Sequence, residues 1–194
     1  PLVSSSAASD VYKRQVCFPT ETIYGLGGNA LSLKVVEKIF ALKKRPLEKS
    51  LSVLVDQEWL GKLAYWEDDK IDRIIEDFWP GPLTLVLPAR RELPEFLKGP
   101  NQTIALRWSS SSVVQEMIKL GECPLIGTSA NLSGMPSCSS SAEVVEQFGD
   151  QTPLLVDSGV LPENPPTTLL DCTRTPFSFI RSGSIDQKIL EEYI

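Results

Sequence analysis

The sequence predicts a single α/β domain on a twisted, mixed sheet with flanking helices. Three observations carry this prediction. Apolar runs of strand length alternate with amphipathic stretches of helical period. The last third of the chain is rich in short strands and turns. A length of 194 residues suffices for one sizeable core and not for two ordinary ones.

Residues 1–15 (PLVSSSAASDVYKRQ) stand apart: they are Ser/Ala-rich, aperiodic and lack the apolar stretch of a secretion signal. They resemble a translated adapter, and the domain is expected over 16–194. Val16-Cys-Phe18 reads as a strand running into Pro19 and a polar, tightly turned loop that ends in Tyr24-Gly-Leu-Gly-Gly28. Ser32 is placed to N-cap a helix over about 33–44, with Leu33, Val36, Ile39, Phe40 and Lys43 on one face and Pro46 enforcing its end. A strand at 51–55 follows, then a short helix capped by Asp56. Ile71, Ile74, Ile75 and Phe78 stand at i, i+3, i+4 and i+7 of a helix over about 68–78. Trp79-Pro-Gly-Pro82 turns the chain into a strand at 83–87.

Further on, a strand is predicted at 103–108, a helix over about 113–120 stopped by Gly121, and a short strand at 125–128. Ser140-x-x-Glu143 is a capping box opening a helix to about Phe148. Strands near 154–156, 168–171 and 178–180 follow, and Ser184-x-x-Gln187 opens a terminal helix.

Composition excludes several function classes. The chain contains no histidine, which removes Ser-His-Asp and Cys-His nucleophile systems and histidine metal sites. No apolar run approaches the roughly 20 residues of a membrane span. The net charge of −6 argues against wrapping nucleic acid through bulk charge, while allowing a local basic pocket. Cys17, Cys123, Cys138 and Cys172 form no CxxC pair and read as reduced thiols of a cytoplasmic protein.

Three polar stretches can carry chemistry. Lys43, Lys44, Arg45 and Lys49 crowd the end of a helix, where they serve either as solvated partners of the helix dipole or as a clamp for a polyphosphate. Gly127-Thr-Ser-Ala-Asn-Leu-Ser-Gly134 with Ser137 is either an ordinary turn or a set of hydroxyl and N–H donors for phosphate oxygens. It is not a Walker A loop, and Gly25–Gly28 is not a dinucleotide fingerprint. Arg107 and Arg181 each follow an apolar strand, a position suited to a cleft or to a core-rim salt bridge. Thr167 and Thr168, judged alone, read as structural. The acidic cluster of Glu67, Asp68, Asp69 and Asp72 reads as a solvated face.

Five motifs occur in order: Pro19-Thr-Glu-Thr-Ile-Tyr-Gly-Leu-Gly27, Lys43-x-Arg45-Pro46, Trp79-Pro-Gly-Pro82, Ile104-Ala-Leu-Arg107 and Thr128-Ser-Ala-Asn-Leu-Ser-Gly134. Together they resemble the YrdC/TsaC threonylcarbamoyl-AMP synthase family over about Val16 to Arg181, in its short, single-domain form. The resemblance implies a YrdC-like fold with a central cationic groove. It implies a nucleotidyltransferase that condenses L-threonine, bicarbonate and ATP to threonylcarbamoyl-AMP and pyrophosphate for the t6A modification of tRNA. Downstream threonylcarbamoyl-transfer proteins would be its partners, with weak tRNA or RNA binding in addition. Mg²⁺ would be held mainly through the ATP phosphates, with no metal site of the protein's own.

Carried over by motif, Thr22, Arg107, Gly127 and Thr167 would bind L-threonine. Arg45, Lys49, Thr103, Ser129, Asn131, Ser137 and Arg181 would bind ATP, with Lys43 and Arg45 as the catalytic cations. Leu54 stands where some relatives have a histidine near threonine. Relatives also have a helix and most of a strand upstream of Val16, which this chain is expected to lack. Two other readings are an RNA- or ribosome-binding module using the same groove, and a carbamoyl-adenylate domain like those within hydrogenase-maturation proteins.

Overall fold

The computed structural model describes residues 14–46 and 50–194. Most of the segment set apart above, residues 1–13, and Lys49 lie outside the described residues. Within them, nine strands build one mixed sheet: β1 (Val16–Pro19), β2 (Tyr24–Asn29), β3 (Ser52–Leu54), β4 (Leu83–Pro88), β5 (Thr103–Arg107), β6 (Leu125–Ser129), β7 (Leu154–Leu155), β8 (Thr168–Asp171) and β9 (Ser178–Arg181). Six helices accompany them: α1 (Leu33–Lys43), α2 (Gln57–Leu63), α3 (Asp69–Phe78), α4 (Ser112–Gly121), α5 (Ser141–Phe148) and α6 (Gln187–Leu190). The strand order is β7-β1-β2-β6-β3-β5-β4-β8-β9. Parallel pairs β1–β7, β3–β5 and β4–β8 are interleaved with antiparallel ones, as expected for a mixed α/β sheet.

The stretch Tyr24–Asn29, expected as loop, is a fully buried strand. Its glycines serve close approach. A Cβ on Gly27 would stand 1.8 Å from the carbonyl oxygen of Ile126 in β6, and one on Gly25 would stand 2.7 Å from the Phe18 ring. Low strand propensity is overridden because at positions 25 and 27 only a residue without a side chain fits between the neighbouring strands.

Local signals set most helix starts. Asp56 accepts from the Trp59 N–H, and Asp68 accepts from the Lys70 N–H. Ser140 Oγ accepts from Glu143 N at 3.2 Å, whereas the Glu143 carboxylate reaches back one residue further than a capping box, to Ser139 N at 2.6 Å. Two boundaries differ from expectation. The left-handed residue ending α4 is Glu122, not Gly121. The last helix is capped by Asp186, because Ser184 Oγ is drawn instead to the carbonyls of Pro165 and Pro166.

Strand alternation divides the sheet into two unlike faces. Val53, Leu83, Leu85, Leu87, Ile104, Leu106, Ile126 and Leu170 are buried in the main core, with Val35, Val36 and Ile39 of α1 and Ile71 and Ile74 of α3. On the opposite face a smaller cluster, with Val114, Met117 and Ile118 of α4 on Val16, Phe18 and Leu54, covers one end only. The rest of that face is a groove.

Candidate active site

Alternate residues of four strands line this groove, Ser52 and Leu54, Thr84 and Val86, Thr103, Ala105 and Arg107, Leu169 and Asp171, together with Gly127, Thr128 and Ser129 of β6. The cavity holds about 460 Å³. Its charged lining among the described residues is four arginines, Arg45, Arg107, Arg174 and Arg181, against one carboxylate, Asp171. An acidic protein with net charge −6 therefore carries a cationic groove.

Of the residues singled out in the sequence, Thr22, Arg45, Thr103, Arg107, Gly127, Ser129, Ser137, Thr167 and Arg181 all line this one cavity. Lys43 and Asn131 do not. The cations at the end of α1 separate because Lys44 adopts the left-handed conformation. Lys44 faces solvent, Arg45 reaches the groove, and Lys43 turns inward to 1% exposure. Its ammonium donates to the carbonyls of Ser129 and Asn131 and to Asn131 Oδ1. Burial, and then the nearby Arg45, pull its pKa down to about 8.

Asn131 is equally committed, its amide nitrogen donating to Leu132 O at 3.0 Å and Met135 O at 2.7 Å. Gln147 of α5 bridges the same loop, accepting from Leu132 N at 3.0 Å and donating to Pro136 O at 2.9 Å. Lys43, Asn131 and Gln147 thus shape the loop that presents Ser129 and Ser137 to the groove. Gln147 has no signal in the sequence, since one glutamine on an amphipathic helix looks like surface.

At the other end, Thr20 Oγ1 donates to Ile23 O at 2.7 Å. With its one proton spent there, the 3.1 Å contact between the two hydroxyls makes Thr22 the donor to Thr20. The Thr22 oxygen keeps acceptor capacity toward the cavity, which suits an ammonium or amine.

Arg107 is 8% exposed. Its Nη2 forms an ion pair with Glu21 Oε1 at 2.9 Å, while its buried Nε has no hydrogen-bond partner. Glu21 Oε2 accepts from Ser109 Oγ at 2.5 Å, and Oε1 from Ser110 N at 3.2 Å. Burial alone would raise the Glu21 pKa, but the Arg107 charge and the Ser109 hydroxyl outweigh it and hold the carboxyl below its usual range. Arg181 grips Thr167 with three bonds, Nε to O at 3.1 Å, Nη2 to O at 2.9 Å and Nη2 to Oγ1 at 2.8 Å. Its pKa is lowered by burial and then by the like charge of Arg107.

This arrangement sets directed cations, of which Arg107 is buried, and hydroxyls in one groove, at two ends. It can hold an anionic ligand at each end and offers no histidine or reactive thiol to attack one. Cys17 and Cys138, both buried, have their thiols pushed up by burial to about 12 and about 11.

The family model named Sua5/YciO/YrdC and described as "Telomere recombination" matches residues 14–183. The chain is 36% identical over 180 residues to the threonylcarbamoyl-AMP synthase of Pyrococcus abyssi, covering 92% of this chain and 53% of that protein. It is 36% identical over 162 residues to the threonylcarbamoyl-AMP synthase of an Enterobacter species, covering 80% and 85%. The chain spans about half the length of the Pyrococcus relative. Among solved structures, P. abyssi Sua5 complexed with L-threonine is similar with a TM-score of 0.92 at 35% identity, over 98% of this chain and 56% of that one. Escherichia coli YciO has a TM-score of 0.86 at 24% identity, over 98% and 92%, a likeness of fold.

Proposed function

The chain belongs to the Sua5/YciO/YrdC family, and on that footing we propose that it is a threonylcarbamoyl-AMP synthase. It takes L-threonine, bicarbonate and ATP, and releases threonylcarbamoyl-AMP and pyrophosphate for t6A modification of tRNA in the cytoplasm. Downstream transfer proteins consume the adenylate. The observation that carries this reading is Arg107: a largely buried guanidinium in the groove wall, beside a hydroxyl, Thr22, with spare acceptor capacity. A planar guanidinium fork on a groove wall is suited to a ligand carboxylate.

The threonine amine and bicarbonate condense to a carbamate with loss of water. A carbamate oxygen then attacks the α-phosphorus of ATP, and the bond to pyrophosphate breaks. No protein nucleophile takes part, in keeping with a chain that has no histidine. Arg107, Thr22, Gly127 and Thr167 hold the amino acid. Arg45, Arg181, Thr103, Ser129 and Ser137 hold the nucleotide, joined by Lys49. Lys43 and Asn131 act on the phosphates through the loop they shape. Catalysis is positioning together with cationic stabilisation of charge developing on the phosphates.

Mg²⁺ enters with ATP as part of the substrate. The described residues offer no cluster of three acidic or thiol ligands, and Asp171, the carboxylate in the groove, already accepts from Thr173 N and Oγ1. The test is chromatographic detection of threonylcarbamoyl-AMP from purified protein. Pyrophosphate release should require both L-threonine and bicarbonate, and release independent of threonine overturns the assignment.

A further inference from the structure

We propose that Glu21 is a positioning residue for the amino-acid end of the groove, orienting Arg107 from outside the cavity. The inference rests on the reading of Arg107 as the partner of the ligand carboxylate. Glu21 does not line the cavity, whereas Arg107 and Thr22 do. Its carboxylate meets three donors, all at or just beyond the end of β5: Arg107 Nη2, Ser109 Oγ and Ser110 N. The 19–23 loop is tied down further by Ser111 Oγ donating to Pro19 O at 3.0 Å and Asn164 Nδ2 donating to Glu21 O at 3.1 Å. One side chain therefore joins the loop that carries Thr22 to the strand end that carries Arg107.

Charge explains why such a group is needed. Arg107 and Arg181 face one groove, and the Arg181 pKa is lowered by burial and then by the like charge of Arg107. Arg181 donates to the carbonyl and hydroxyl of Thr167, which carry no net charge. Glu21 is the carboxylate within ion-pair distance of either guanidinium among the described residues. Without it, a buried cation facing a like charge would swing toward solvent. Glu21 supplies the counter-charge at Nη2, an atom closed off from solvent. A carboxylate in the wall thus holds the arginine in place.

Two substitutions separate charge from reach. Glu21→Gln keeps the length and removes the charge; Glu21→Asp keeps the charge one methylene short. We expect Glu21→Gln to raise KM for L-threonine about tenfold, with kcat and KM for ATP within about twofold, and Glu21→Asp to recover part of that loss. Titration calorimetry with L-threonine alone should show the same order. A folded Glu21→Gln protein with unchanged threonine KM overturns the proposal. So does an equal loss for both substrates, the signature of a merely structural role. A second readout is the Arg107 Nε–H resonance, assigned through its loss in Arg107→Lys and expected to exchange slowly in the parent and quickly in Glu21→Gln. If the parent protein neither binds threonine nor turns it over, the functional assignment fails, and this resonance still decides whether Glu21 fixes the guanidinium: no change in exchange overturns it. If Glu21→Gln does not fold, Ser109→Ala removes one donor from the carboxylate and should raise threonine KM about threefold; no rise overturns the proposal.

Discussion

The ammonium of Lys43 lies 2.6 Å from the main-chain carbonyl of Asn131, 88 residues further along the chain. It ties the end of α1 to the loop that presents Ser129 to the groove. Lys43→Met leaves the carbonyls of Ser129 and Asn131 buried with a donor lost, at a cost of about 1–3 kcal/mol each. The urea midpoint should fall accordingly, and synthase activity should be lost because Ser129 is no longer held.

Lys43 also makes stability depend on pH. Its pKa in the folded protein, about 8, lies below the ordinary lysine value of 10.5. Between these values the unfolded chain binds a proton that the native state has released. The contribution is therefore fully present above 10.5 and is lost as pH falls toward 8, with a slope of up to about 1.4 kcal/mol per pH unit. Urea unfolding across this window should show the slope in the parent protein and not in Lys43→Met.

Glu21 acts at the acid end with the usual carboxylate sign. Its folded pKa is held below the ordinary glutamate value of 4.5, so its contribution is present above 4.5 and is lost as pH falls through the lower, folded value. The stability difference between parent and Glu21→Gln should be constant at mildly acid pH and vanish at strongly acid pH. Carboxyl titration followed by NMR should place Glu21 below the exposed glutamates.

Gly127 pairs with Ser52 in β3, and the Leu54 side chain approaches it diagonally across the β3–β6 pair. A Cβ there would lie 2.5 Å from Leu54 Cγ and under 3 Å from both its methyls. Gly127→Ala should cost about 1–3 kcal/mol and raise KM for L-threonine, because Leu54 is driven toward the cavity it lines. The double variant with Leu54→Ala should recover stability in thermal melting, which an independent pair of defects would not do.

Arg181→Lys keeps the positive charge but loses the planar fork that makes three bonds to Thr167. We expect KM for ATP to rise about tenfold with little change in melting temperature. Unchanged steady-state kinetics would show that the charge alone suffices.

Much of the groove was legible because it rests on local signals. Arg45, Ser129 and Ser137 sit in short polar runs next to apolar strands, and Arg107 and Arg181 end theirs. What escaped was of another kind. Tyr24–Asn29 looked like a glycine loop because glycine's need here comes from β1 and β6, which are neighbours only in space. Glu21 was visible in the Thr-Glu-Thr triplet, and the serine run after Arg107 was visible too; their meeting depends on which loops the sheet order brings together. Arg174 and Asp171 enter the groove lining through the β4–β8 pairing, which no local pattern encodes.

By itself the sequence determined the domain class, most element positions, the absence of histidine chemistry and the five motifs of the family. These depend on periodicity, capping and residue type, which act over a few neighbouring positions. The tertiary structure alone decided where three adjacent cations go. Lys43 enters the core, Lys44 meets water and Arg45 faces the groove, because one left-handed residue redirects the chain at a helix end. It also decided that Glu21 would serve Arg107 from behind the wall. Burial and distance separate a contact with ligand from a support behind it, and both arise only when segments far apart in the chain are packed against each other.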